Sequence, residues 1–541
     1  MVLYQIHIIT KGENIMMLRI LFVLLPALPL FAHSGLPTHN PNVTATIVIH
    51  GFDADGANHD GVFGEDDLDQ QLLWQVAEYA GLPVNDGSTT LPINVIATTT
   101  YYGSIPPSYY TQQDIAELNA ITKQYGGGIP RYALIIAKYA SHIIERTGAS
   151  QVNFVSASMG SFVARWMIEK NSDSLASDGK IARWLSLEGV LCGNWAASNE
   201  FVNDLWDDFG TPSIDIEQMK YSWVEDNLHS PRREADSSMY SNILIGMVMS
   251  SRDTAGDGLL TNIMLLEGDF HANDGVVTID DGHFESMTEQ SKFNNLSTTS
   301  SWMHVNHYEL AEYQPAMMQI ANFITQRRRV IATIIRLQVT NTEEPSDFWW
   351  DWMPAEIVIE SDTYSPLGLA KWGITESVCT RGIEGVSSPI YEFYDDGEQQ
   401  ILQHVIYDEF IGEDEVALDI TLGCFEIDWN EKYGIFEPLD GDGNDLGSIN
   451  MSLAVSSTGT ATQEFYTSNF NGTIEIQVID YPFDVLEDEV VGDVTGDGIV
   501  DVSDILALIS AWGPCNECVE DLDHSGVVDV TDLLLVIGNW S

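Results

Sequence analysis

The run Val155-Ser156-Ala157-Ser158-Met159-Gly160-Ser161 decides how this chain is read. A β-branched segment, Gln151-Val152-Asn153-Phe154-Val155, leads into it, and a helix-forming segment, Phe162-Val163-Ala164-Arg165-Trp166-Met167-Ile168, leads out. A strand, a tight turn of small residues and a helix together describe a turn that forces its central residue, Ser158, into a strained backbone conformation and lifts its hydroxyl clear of the sheet. The next backbone N–H, that of Met159, then points at the same spot. Small residues are needed two places before and two places after the serine, because strand and helix pack closely there. Ser156 and Gly160 fill those places, Ser156 standing where Gly is usual. By itself the pattern S-x-S-x-G arises by chance in long chains, and an ordinary strand–helix turn reads the same way.

Three further segments extend the reading. Thr46-Ile47-Val48-Ile49-His50-Gly51-Phe52 is an apolar strand ending in His-Gly, where the backbone N–H of Phe52 is placed to supply one half of an oxyanion hole and Met159 the other. One such donor is worth roughly 3–4 kcal/mol of barrier. Ala272-Asn273-Asp274-Gly275-Val276-Val277 offers an acid, and Val305-Asn306-His307-Tyr308-Glu309-Leu310 a base. The chain order Ser158, Asp274, His307 is that of a nucleophile, its acid and its base on an α/β sheet.

With these four segments in order, roughly residues 44 to 325 resemble the secreted bacterial lipases of the α/β-hydrolase fold. The resemblance implies that Ser158 attacks an ester carbonyl, that His307 takes and returns the proton, and that Asp274 fixes the imidazole tautomer. Asp253, in Ser251-Arg252-Asp253 after the apolar strand Ile243 to Met249, is a rival acid, and His304 a rival base. In those lipases an acidic residue at the place of Glu309 helps hold a calcium ion that steadies the histidine loop; an exposed loop glutamate is the plainer reading. His33, His39, His59, His229, His271 and His283 read as loop or surface residues. The same chemistry would serve a polyester, a thioester or an amide, and a hydrolase fold without activity, kept as a surface or adhesion protein, is the alternative of a different class.

With 22 basic against 81 acidic side chains in 541 residues, the net charge is −59. This excludes a basic footprint for nucleic acid and disfavours anionic membranes. Calcium binding, or life in salty water where screening relieves self-repulsion, fits such a surface. The length calls for about three domains. Ile20 to Leu30 is an apolar core of signal length, preceded by Met16-Met17-Leu18-Arg19 and followed by Leu30-Phe31-Ala32. The true start is then Met16 or Met17, residues 1–32 form the export region, and the mature chain, secreted or attached to the cell surface, has no transmembrane segment. An exported chain permits disulfides. Cys515 and Cys518 suit a local bridge, Cys379 and Cys424 a second, and Cys192 is left over.

Residues 33–328 alternate strand and helix runs, predicting a mostly parallel α/β sheet. Strands are expected at Ala45–Ile49, Ile93–Thr98, Val152–Val155, Ala182–Leu187 and Ile243–Met249, and helices at Leu72–Ala80, Tyr132–Thr147 and Phe162–Lys170. Asn194 to Asp226, rich in aromatics, reads as a packed loop or as a lid over the serine. Residues 329–484 show short alternating strands with acidic turns such as Asp440-Gly441-Asp442, similar to a C2-like β-sandwich holding calcium at one end. Trp349, Trp350 and Trp352 read as a contact patch or as core.

Residues 485–541 carry a repeat. Asp493, Thr495, Asp497, Asp501 and Asp504 fall at positions 1, 3, 5, 9 and 12 of a loop with Gly498 at position 6, and the backbone of Ile499 at position 7 completes the oxygen set. The spacing recurs at Asp521, Asp523, Ser525, Val527 (backbone), Asp529 and Asp532, with Gly526 sixth. Apolar helices are expected after the loops, at Ile505–Trp512 and Leu533–Trp540. No helix pattern precedes either loop and position 12 is Asp, which resembles a dockerin duplicate. The resemblance implies calcium as the only cofactor and a cohesin-type or other cell-surface partner met through Val502-Ser503 and Val530-Thr531.

Overall fold

The computed structural model describes residues 39–53, 60–88, 90–202, 214–228, 237–240, 242–253, 258–267, 271–282, 297–303, 305–340, 355–363, 370–372, 390–430, 435–437, 445–481, 494, 500, 502–514, 518–520, 522 and 526–538. Its first sheet is built from β1 (Thr44–Ile49), β2 (Ile96–Thr98), β3 (Gln151–Ala157), β4 (Ile181–Leu187), β5 (Leu244–Ser250) and β6 (Ser297–Met303), in the spatial order β2-β1-β3-β4-β5-β6, all parallel. Residues of β1, β4 and β5 are buried throughout, as strands covered on both faces must be. That is why they read as unbroken apolar runs.

The helices that cover the sheet are α1 (Gln71–Ala80), α2 (Gln112–Tyr125), α3 (Ile129–Thr147) and α4 (Met159–Glu169). Every residue of α4 is buried, so Arg165 needs an internal partner. It finds one a turn away in Glu169, at 2.8 Å, and Tyr240 donates to the same carboxylate. Further on lie α5 (Trp195–Ser198), α6 (Ile214–Met219), α7 (Tyr221–Asn227), α8 (Leu259–Glu267), α9 (His307–Leu310) and α10 (Gln314–Thr325). In the Asn194–Asp226 stretch Trp195 and Val224 are buried and Trp223 packs on the main core, while Phe201 is exposed. Trp206 and Phe209 lie outside the described residues.

From residue 328 the chain turns to antiparallel strands: β7 (Arg328–Val339), β8 (Ala355–Thr363), β9 (Ala370–Trp372), β10 (Ile390–Phe393), β11 (Gln399–Ile411), β12 (Ala417–Asn430), β13 (Ile435–Glu437), β14 (Asp445–Ala454), β15 (Gly459–Tyr466) and β16 (Phe470–Asp480). One sheet runs β11-β7-β16-β15; another runs β10-β8-β12-β13, with β14 also on β12. The short strand β9 pairs with β6 and so extends the parallel sheet by one antiparallel edge. Arg183, fully buried on β4, ties the sheets together. Its guanidinium lies 4.3 Å over the Phe410 ring and donates to the carbonyls of Phe323 and Gln326. Beside it Arg329 makes a two-pronged pair with Asp408 at 2.6 and 2.7 Å and donates to Tyr481. His39 belongs to this buried layer rather than to the surface. Its Nε2 donates to Ile324 O at 2.9 Å, and burial with Arg183 nearby holds its pKa well below the usual value, so the ring is neutral.

The last elements are α11 (Val502–Ser510) and α12 (Val530–Gly538), with Gly513-Pro514 paired to Val527-Val528 and a small core of Val500, Leu508, Val528 and Val536. Both helices begin three residues earlier than the apolar pattern suggests. The second shows why: Asp529 accepts from the N–H of Thr531 at 2.7 Å and Asp532 from that of Asp529 at 2.8 Å, so the last two loop acids also cap the helix. Cys424 is a buried thiol, which corrects the expected bridge to Cys379; strand β12 places it inside the sheet. Cys192 is also a thiol, and Cys518 is disulfide-bonded. Cys379, Cys515, the three tryptophans at 349, 350 and 352, the acids at 440–442, His33, His59, His229, His283 and residues 1–38 lie outside the described residues.

Candidate active site

β3 ends at Ala157 and α4 begins at Met159, which leaves Ser158 alone to reverse the chain, at φ 50° and ψ −128°. A side-chain-bearing residue pays about 1–3 kcal/mol for such a backbone, and surrounding contacts hold it there. The N–H of Ser158 donates to Leu187 O at 3.0 Å, while its carbonyl accepts from Ser161 and Val190. Ser156 takes the place usual for Gly because its buried hydroxyl is fully used. It accepts from Trp184 Nε1 at 2.8 Å, donates to Leu185 O at 3.2 Å and meets Ser161 Oγ at 2.9 Å.

The Ser158 hydroxyl lies 3.1 Å from His307 Nε2. On the far side of the ring His307 Nδ1 is 2.9 Å from Asp274 Oδ2. A carboxylate only accepts, so Nδ1 carries a proton, and in the neutral ring Nε2 is left to accept from Ser158. Asp274 is almost fully buried and is saturated with donors: Ser250 Oγ at 2.9 Å on Oδ2, and the N–H groups of Val276 and Val277 at 2.9 and 2.7 Å on Oδ1. The His307 N–H returns to Asp274 O at 3.1 Å, which fixes the two loops to each other. Asp253 is engaged elsewhere, accepting from Thr261 N at 2.7 Å at the start of α8. Glu309 forms a capping box with Asn306 and lies 3.9 Å from Arg252. His271 pairs with Asp280 at 2.9 Å. His304 lies outside the described residues.

Burial alone would lower the basicity of His307. Asp274, a further carboxyl at Glu188 and the hydrogen bond to Asp274 outweigh it, and the pKa is pushed up to about 9. Glu188 escapes the sequence reading because no motif contains it. It follows β4 as Ser158 follows β3, and Ala157 is in register with Leu187, so the two residues leave neighbouring strand ends together. The rule that chemistry gathers at the carboxyl ends of parallel strands is the signal that finds it.

The loop after β1 lies against the serine: a Cβ added to Gly51 would stand 3.0 Å from Ser158 Cβ. Tyr101 holds that loop, its hydroxyl lying 2.9 Å from His50 O and 2.7 Å from Gly51 O, and its ring stacking on His50 at 3.9 Å. In a trans peptide the C=O and the following N–H point in opposite directions. With the Gly51 carbonyl turned to Tyr101, the N–H of Phe52 is turned the other way. Met159 N–H sits at the first turn of α4, where the helix leaves its donors unpaired. Among the loop positions of the C-terminal repeat, Asp504 and Asp532 are described and fully buried, Asp529 is half-buried and Val527 is exposed. Asp493, Thr495, Asp497, Ile499, Asp501, Asp521, Asp523 and Ser525 lie outside the described residues.

No protein-family model matches the chain, and no curated protein matches it. Among solved structures, a Bacillus licheniformis lipase, BlEst2, in mature form aligns over 52% of this chain and 96% of its own, at 12% identity and a TM-score of 0.30. Phospholipase PlaB from Legionella pneumophila aligns over 71% and 86%, at 7% identity and a TM-score of 0.30. A Drosophila C2-DSL-EGF1 structure aligns over 28% and 67%, at 8% identity and a TM-score of 0.19.

Proposed function

We propose that this chain is a secreted serine hydrolase of carboxylic esters, lipase-like, on an α/β-hydrolase fold. The observation that carries the reading is the unbroken relay from Ser158 Oγ through the His307 ring to Asp274, built at the carboxyl ends of parallel strands beside a strained serine. His307 takes the hydroxyl proton as Ser158 attacks the ester carbonyl. The N–H groups of Phe52 and Met159 meet the negative oxygen of the tetrahedral intermediate. The imidazolium returns its proton to the leaving alcohol, and an acyl group stays on Ser158. Water, deprotonated by the same ring, then releases the acid and restores the hydroxyl.

A fluorophosphonate probe tests this without a choice of substrate. It should label Ser158 and nothing else. The ring works as a base only when neutral, so labelling should quicken as pH rises through about 9 and fade below it. An unlabelled Ser158 across the alkaline range overturns the reading.

The antiparallel sheets we read as a C2-like accessory sandwich, and the C-terminal repeat as a dockerin-like calcium module. No Lys or Arg follows Lys432 in the sequence, yet Asp504 and Asp532 are fully buried. Carboxylates buried in a module that holds no Lys or Arg suit a bound cation. Calcium would supply the positive charge, held by the oxygens at positions 1, 3, 5, 7, 9 and 12 of each loop. α11 exposes Val502, Leu506 and Ile509, and α12 exposes Val530, Leu534 and Ile537, the same stripe one repeat later. A cohesin-type partner fits this duplicated face. Chelating calcium from the full chain should lower its helix content and open the segment after residue 482 to protease. Unchanged circular dichroism and cleavage would reject the calcium assignment. No described helix is long and apolar enough to cross a membrane.

A further inference from the structure

Behind the His307 ring stand two carboxyls. Asp274 Oδ2 lies 2.9 Å from Nδ1 and Glu188 Oε2 lies 3.6 Å from the same atom. Both acids are buried. They differ in how they are held. Asp274 receives four donors, whereas Glu188 Oε2 has no hydrogen-bond partner among the described residues. A buried acid kept for packing would be expected to satisfy that oxygen. Here it is aimed at the imidazole instead. The backbone repeats the message, since Glu188 sits at φ 44° without being glycine. Among the described residues such strain occurs at Ser158, at Glu188 and in the single turn 171–174.

We propose that Glu188 is a positioning residue for His307, a second carboxyl able to carry the negative charge behind the ring when Asp274 does not. This rests on the serine-hydrolase reading of the same site. The groups facing the ring are the Ser158 hydroxyl after β3, Glu188 after β4, Asp274 on the loop between α8 and β6, and Tyr308 edge-on from α9 itself at 5.7 Å. Two adjacent buried carboxylates repel, so one anion is the stable charge for the pair. The three protein donors on Asp274 other than His307 give the charge to Asp274, and burial with that neighbour keeps Glu188 protonated, its pKa well above the usual carboxyl value. Removing Asp274 removes the repulsion and leaves Glu188 free to ionise against the imidazolium.

The test compares wild type, Glu188→Gln, Asp274→Ala and the double variant. Each is followed by NMR titration of labelled histidine, with His307→Gln identifying the signal, and by kcat/KM on a short p-nitrophenyl ester. Loss of a triad acid ordinarily costs about 10⁴-fold in rate. Asp274→Ala should lose only about 10²-fold, and adding Glu188→Gln should carry the loss to about 10⁴. The His307 midpoint should hardly move in Glu188→Gln alone, where the acid replaced is uncharged, and should fall by about 1 pH unit when the same change is made without Asp274. A His307 midpoint that Glu188→Gln leaves unmoved in the Asp274→Ala background overturns the proposal. So does a double-variant loss equal to the product of the single losses. The titration needs no turnover, so it judges Glu188 even if Ser158 proves not to be a nucleophile. Melting curves separate either effect from misfolding.

Discussion

Ser158→Ala is expected to lower kcat for ester hydrolysis by about a millionfold while leaving the protein folded. The size follows from the relay: the oxygen at 3.1 Å from His307 Nε2 is the only atom in it that can form the acyl bond. What remains over water comes from the oxyanion donors and binding alone. A companion change separates chemistry from architecture. The serine stands at φ 50°, which glycine adopts without strain. Ser158→Gly should therefore be equally inactive and yet melt higher than wild type. The relieved strain, less glycine's extra unfolded-state entropy, comes to about 1 kcal/mol, or roughly 2–4 °C. Calorimetry and a p-nitrophenyl ester assay on the two variants check both halves. Undiminished turnover in Ser158→Ala sinks the nucleophile assignment, and a lower melting point in Ser158→Gly sinks the account of the turn.

The sequence disclosed most where burial leaves a one-dimensional trace. Strands β1, β3, β4 and β5 are covered on both faces, so they appear as apolar runs, and their expected and observed bounds agree within a few residues. β6, Ser-Thr-Thr-Ser-Ser-Trp-Met, carries no such run and leaves no apolar trace in the sequence. Nor does α2, whose face is largely polar and whose sequence signal is a capping box between Thr111 and Asp114. The choice between Asp253 and Asp274 stayed open because both follow β5, and only the folded loops show which one bonds to His307. Glu188 was illegible for another reason. Its meaning comes from a neighbour 119 positions away, His307, and no local pattern encodes that proximity.

Gly160→Ala is expected to damage the fold itself, although alanine is the better helix former. Gly160 lies within α4 and its backbone needs no positive φ, so the requirement is space alone. A Cβ there would stand 2.3 Å from His50 O and 2.8 Å from Ile49 O, the last carbonyls of β1 and its exit. Both are backbone atoms, and His50 O is held by Tyr101, so neither yields as a flexible side chain would. The helix or the strand must shift, which costs about 1–3 kcal/mol or more and at roughly 2–4 °C per kcal/mol drops the melting point by about 5–10 °C. Because the shift moves Met159 N–H and the Phe52 loop apart, turnover should fall even in protein that remains folded. Gly51→Ala makes the contrasting case. Its Cβ would meet Ser158 Cβ at 3.0 Å and Oγ at 3.5 Å, contacts with a side chain at the reacting centre. That variant should keep most of its stability and lose rate. If Gly160→Ala melts with wild type, the close approach of α4 to β1 is not what positions the serine.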